Sequence, residues 1–147
     1  MMNDDYLIDV FEPVLSIGIV AKKINVSVQT IRLYEKEGLI LPHRTASGRR
    51  LYSLHDLKRL RSIRNMIADN GLNLKGIKAL MSLVPCWDYK GGVDEDCKGC
   101  PAFSEAVKPC WSIGDVGAKC QNQDCRNCPV YLLEITHNNL KEIILKR

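Results

Sequence analysis

The sequence predicts a mainly α protein: a winged helix-turn-helix unit, a small cysteine-rich metal-binding module, and a C-terminal helix. Three observations lead there. Two short apolar-periodic stretches between Ser16 and Glu37 are separated by only "NVS" and end at Gly38. Two short pieces around a Ser-Gly turn follow, in "LILPHRTASGRRLYS". All seven cysteines then fall between Cys86 and Cys128.

Each element has a local cause. Ser16 can cap a helix running to Ile24, because its hydroxyl accepts from an unpaired first-turn N–H, and Ile17, Val20, Ala21 and Ile24 share one face of it. Ser27 can cap a second helix running to Glu37, and Gly38 supplies the left-handed stop. Two helices joined by three residues make a helix-turn-helix. The Ser47-Gly48 turn between extended pieces makes a hairpin, or wing. Ser53 and Asp56 form a variant capping box that opens a long helix to about Asn70. Gly71 ends it, and a shorter helix spans Leu74 to Val84. Leu57, Leu60, Ile63, Met66 and Met81 are expected in the core.

Charge separates the chain into regimes. Residues 1–12 are an acidic leader, and residues 14–84 hold thirteen Lys and Arg against four Asp and Glu, a local charge of +9 within a total of +4. A basic block of this kind suits a polyanionic partner. Lys22, Lys23, Arg59, Arg61 and Arg64 read as solvated, as do His43 and His55 beside the wing. No run of about 18 apolar residues is present to span a membrane. The acidic start is unlike a secretory signal, so a cytoplasmic setting is expected. There, clustered cysteines serve as metal ligands or redox groups more often than as disulfides.

Residues 13–84, through "TIRLYEKEGLI", "SGRRLYS" and "LHDLKRLRSI", resemble the MerR family of bacterial transcription regulators. "NGLNLKGIKAL" is most similar to its heat-shock repressor subgroup, HspR. The resemblance implies a homodimer on pseudo-palindromic promoter DNA, with RNA polymerase as a further partner. It places Arg32 and Tyr34 near the groove, and Arg49, Arg50 and Tyr52 on a wing that grips phosphates. Gln29 and Thr30, early in the second helix, are candidates for reading base edges. Members of the family commonly dimerise through a long helix after the fourth short one; here Pro85 and Cys86 interrupt that place.

Residues 85–129 carry Cys86, Cys97, Cys100, Cys110, Cys120, Cys125 and Cys128. Two CxxC pairs, Cys97 with Cys100 and Cys125 with Cys128, let two thiolates converge on one metal. The spacing between the pairs exceeds the usual zinc-ribbon range. The layout "CW … CxxCP … PCW … C … CxxCP" is similar to the two-CW domain. An iron–sulfur cluster is the preferred cofactor, since it would give the DNA-binding part an input that a redox-silent zinc site would not. The Cys-Pro ending both pairs is also similar to some cluster-binding loops; zinc is the alternative. Trp87 and Trp111 are expected to screen the sulfurs from water. Residues 130–147 read as one C-terminal helix whose Val130, Leu133, His137, Leu140 and Ile144 would dimerise or pack back on the module.

The leading reading is a regulator whose DNA binding responds to its cluster or metal. Its rivals are a metal or electron carrier with a protein-docking helical domain, and a regulator that zinc merely stabilises. A small winged helix serving recombination machinery is a third. No phosphate loop is present, so no catalytic residues and no enzyme are expected.

Overall fold

The computed structural model describes residues 9–89, 91–105, 107–113, 124–136 and 138–145. Most of the acidic leader, Cys120 and His137 lie outside the described residues. A two-residue strand β1 (Leu15–Ser16) leads directly into α1 (Ile17–Ile24), which Ser16 caps by accepting from Ile19 N–H. Asn25 ends α1 at a left-handed φ of 57°. After a three-residue turn Ser27 caps α2 (Val28–Lys36) by accepting from Thr30 N–H.

Strands β2 (His43–Arg44) and β3 (Arg50–Tyr52) form the wing, and β1 joins them in an antiparallel sheet of order β1-β3-β2. Leu15 pairs with Tyr52, and His43 with Leu51. The first strand was not expected from the sequence. It needs only two backbone pairs, too few to leave a period-two pattern. The capping box opens α3 (Leu54–Ala68) as read: Asp56 N–H donates to the Ser53 hydroxyl and Ser53 N–H to the Asp56 carboxylate. Asn73 caps α4 (Leu74–Ser82).

Among the described residues no long helix follows α4. Pro85 lacks the N–H a continuing helix would need, and the chain turns into short pieces: α5 (Cys86–Tyr89), α6 (Glu95–Lys98), α7 (Pro101–Ser104), and 3-10 turns at Cys110–Ser112 and Cys125–Asn127. The expected continuous C-terminal helix is divided into α8 (Pro129–Leu132) and α9 (Leu140–Leu145). Asn139 explains the break. Its side-chain carbonyl accepts from Thr136 N–H and its amide donates to Glu134 O, so it closes a non-helical loop. No helix among the described residues is long and apolar enough to cross a membrane.

One core runs through both halves. Val20, Ile24, Ile31, Leu39, Leu60, Ile63 and Ile77 from the helix-turn-helix side form one buried cluster with Trp111, Val130, Tyr131, Ile135 and Leu140. Leu57, Met66 and Met81 are buried there as expected. The cysteine-rich segment, through Trp111 and Cys128, and the C-terminal segment, through Val130, Tyr131, Ile135 and Leu140, are therefore packed onto the head as a second wall of the same core.

Candidate nucleic-acid interface and its cysteine-rich support

Helical periodicity sorts α2 into two faces. Ile31 and Tyr34, three apart, are both buried, while Gln29, Arg32, Leu33 and Lys36 form an exposed stripe. Thr30 is half-buried, its hydroxyl 2.9 Å from that of the capping Ser27. On the wing, Arg49 stands exposed beside the Gly48 turn, whose φ is +84°. Arg44 is the basic wing residue that the sequence reading missed; it occupies β2 with a side chain 48% exposed.

Three expected contacts are corrected. Tyr34 is only 4% exposed and Tyr52 fully buried, so both rings fill the core and do not face a duplex. Burial raises the Tyr34 phenol above its ordinary value and pushes that of Tyr52 up to about 12. Tyr34 follows Ile31 by one helical turn and must share its inward face; Tyr52 pairs with Leu15 on the central strand. Arg50 is held rather than free: its Nε lies 2.6 Å from a Glu35 oxygen, while the other Glu35 oxygen takes Arg44 at 2.9 Å. The Glu35 bond also raises the Arg50 guanidinium above its ordinary value. Glu35 thus ties both wing strands to α2, a role that sequence spacing did not suggest.

The larger surprise is Arg59. Expected in solvent, it is 7% exposed against the rings of Trp111 and Tyr131, which themselves meet edge-on, its guanidinium carbon 4.7 Å and 4.1 Å from their centroids. Its Nε donates to Leu39 O at 2.9 Å and its Nη1 to Tyr131 O at 2.6 Å. Its Nη2 finds no acceptor among the described residues, and burial holds its basicity below the ordinary value. His55, also expected at the surface, is 8% exposed, with Nε2 2.9 Å from Leu132 O. His43 is half-buried, its Nδ1 2.9 Å from Arg126 Nη1.

These bonds converge on the segment joining α2 to the wing. Trp111 Nε1–H donates to Gly38 O at 2.7 Å. Leu41 N–H donates to the Tyr131 hydroxyl at 2.8 Å, and Arg126 Nη1 reaches Pro42 O at 3.4 Å. Gly38 has two reasons to be glycine: φ is +75°, and a Cβ there would stand 2.6 Å from Ser112 Cβ. Gly38→Ala should therefore cost at least about 2 kcal/mol, the left-handed penalty plus displacement of the 110–112 turn. Urea unfolding would measure it, and a loss under 0.5 kcal/mol, the size of an ordinary surface substitution, would contradict the close approach.

Backbone bonds fold each CxxC locally. Asp94 caps α6 by accepting from Cys97 N–H, and Cys100 N–H donates to Cys97 O, which folds the first CxxC into a tight turn with both cysteines buried. Cys128 N–H donates to Cys125 O in the second. Cys86 and Cys110 line one small cavity with Met81, Val84, Trp111 and Val130. Trp111 is buried, while Trp87 packs edge-on against Phe103. Thiolates suit zinc or an iron–sulfur cluster, but among the described residues no three His, Cys, Asp or Glu side chains are gathered to hold a metal ion. In donor chemistry the cysteines fit such a group.

A profile of the MerR HTH family of regulatory proteins matches residues 15–83 and stops before the first cysteine. The chain is 39% identical over 71 residues to the putative heat shock protein HspR of Streptomyces coelicolor, covering 48% of this chain and 47% of that protein. It is 41% identical over 69 residues to the HTH-type transcriptional regulator GlnR of Bacillus cereus, covering 47% and 53%. Over 56 residues it is 46% identical to the HTH-type transcriptional regulator TnrA of Bacillus subtilis, covering 38% and 51%. The chain spans about half the length of these curated relatives.

Proposed function

We propose that the chain is a sequence-specific DNA-binding transcription regulator, a reading supported by the match of residues 15–83 to the MerR HTH family of regulatory proteins. The observation that carries this reading is the exposed stripe Gln29, Arg32, Leu33 and Lys36 on α2, with Arg49 on the wing beside it. A helix bearing such a stripe fits the major groove, where its side chains meet base edges while the flanking arginine neutralises phosphate. The unit is a homodimer on a two-fold promoter site, with RNA polymerase as a further partner. Hydroxyl-radical footprinting tests this. Two protected patches about 34–36 Å apart along the duplex support it; one patch, or none, counts against it.

The cysteine module is the regulatory part of this reading. It holds an iron–sulfur cluster, or alternatively zinc, using thiolates from among Cys86, Cys97, Cys100, Cys110, Cys120, Cys125 and Cys128. The support is the number and softness of the donors. Such a group would supply an input of redox, nitric oxide or metal supply, and its differential stabilisation of one arrangement would shift DNA affinity. Anaerobic purification followed by iron, sulfide and zinc analysis is the test. Stoichiometric iron and sulfide support the cluster, zinc alone selects the stabilised regulator, and a metal-free protein with full DNA binding removes the cofactor.

A further inference from the structure

The turn between the recognition helix and the wing depends on residues from the cysteine module and the C-terminal segment for most of its side-chain hydrogen bonds. Within residues 38–42, Gly38 O, Leu41 N–H and Pro42 O are met by the side chains of Trp111, Tyr131 and Arg126. Leu39 O is met by Arg59, itself packed against the Trp111 and Tyr131 rings. Leu39 and Ile40 are fully buried, so Leu39 O, if it lost Arg59, would regain no partner readily from water. The bonds to Gly38, Leu41 and Pro42 are half-buried. The sheet itself is too short to fix the wing, since β2 contributes two residues. On the α2 side, Glu35 ties Arg44 and Arg50. At the base of the wing, most of the ties come from the module and the C-terminal segment.

We propose that Trp111, Arg126 and Tyr131 are positioning residues for DNA recognition, setting the angle between the recognition helix and the wing. Base contacts specify a site only when the helix sits in register, and the register is fixed by what grips the backbone on either side. A wing held at one angle lets Arg32 and Arg49 engage one duplex together. A loosened wing keeps the same charges and loses the shared register. All three residues stand close to sulfur: Trp111 follows Cys110, Arg126 lies between Cys125 and Cys128, and Tyr131 is three residues beyond Cys128. Rearrangement at those sulfurs therefore displaces the posts that hold the turn. This inference rests on the DNA-binding reading for its consequence, while the positioning itself can be measured without DNA.

The experiment uses the full chain with Tyr131→Phe, Trp111→Phe and Arg126→Gln. The first two keep a ring against Arg59: Tyr131→Phe removes only the hydroxyl, and Trp111→Phe removes the N–H together with part of the buried indole, so Tyr131→Phe is the cleaner variant. Amide exchange in the free protein should rise at residues 38–43 while α3 stays protected. The affinity ratio between a selected duplex and its scrambled counterpart should fall about tenfold, the scale of one mismatched base pair, with the salt slope unchanged. A wild-type ratio in the folded variants overturns the proposal. So does a salt slope that falls in step with the ratio for Arg126→Gln, which would make Arg126 a phosphate contact. If wild-type protein discriminates no duplex, the DNA-binding reading fails instead, and unchanged exchange at 38–43 would then separately refute the positioning.

Discussion

Replacing Arg59 with alanine should destabilise the protein by about 3 kcal/mol, the largest single effect expected of a charged residue in the chain. Two charge-assisted bonds would be lost, leaving Leu39 O and Tyr131 O buried without partners, and each such bond is worth about 1.5–3 kcal/mol. The cation would also leave the faces of Trp111 and Tyr131, a further contribution of about 0.5–2 kcal/mol. Against this, burying a guanidinium with one unpaired nitrogen is costly, as its lowered basicity shows. Removing the charge returns part of the loss, which is why the net figure stays below the sum. Arg59→Met, which fills the slot without a charge, should cost roughly half as much. Urea unfolding measures both. Equal stability of Arg59→Ala and wild type would mean that the module does not dock on α3 through this residue.

Arg32→Ala and Arg49→Ala should each weaken DNA binding roughly tenfold and lower the salt slope by about one unit, because each removes one arginine that displaces counterions from the duplex. Both side chains are exposed, and neither has an ion-pair partner among the described residues. Their loss should therefore leave stability near wild type. The double variant should add both changes, since the two positions lie on different elements. Lys98→Ala is the matched control. Lys98 carries the same charge on α6 beside Glu95, away from the stripe, and its removal should leave the slope unchanged. An Arg32→Ala and Arg49→Ala pair that binds every duplex like wild type would place the interface elsewhere.

Features with a local cause were legible. Ser16, Ser27 and the Ser53–Asp56 box each act within three residues of themselves, and the φ of Gly38 is set by the helix it ends. The exposed stripe on α2 was half legible. Gln29 and Arg32 follow from periodicity, but treating Tyr34 as a surface group ignored that it shares a face with Ile31. What could not be read was fixed by distant contacts. Arg59 and His55 are buried by residues 131 and 132, more than seventy positions away, and no pattern around them records that. Arg44 and Arg50 looked alike in charge; only the position of Glu35 shows that both are tied to α2. The sulfur ligands show the same limit. CxxC spacing announces local pairs, whereas the gathering of pairs depends on chain between them that spacing does not describe.

The central claim is that a basic helix and wing, braced by the cysteine module, read duplex DNA. It is tested by selection of the chain on a random duplex library, followed by titration of the enriched duplex across salt concentrations. Enrichment of a two-fold sequence, with affinity falling linearly in log–log form against salt, is the expected result. Recovery of no sequence, with binding absent even at low ionic strength, would contradict it.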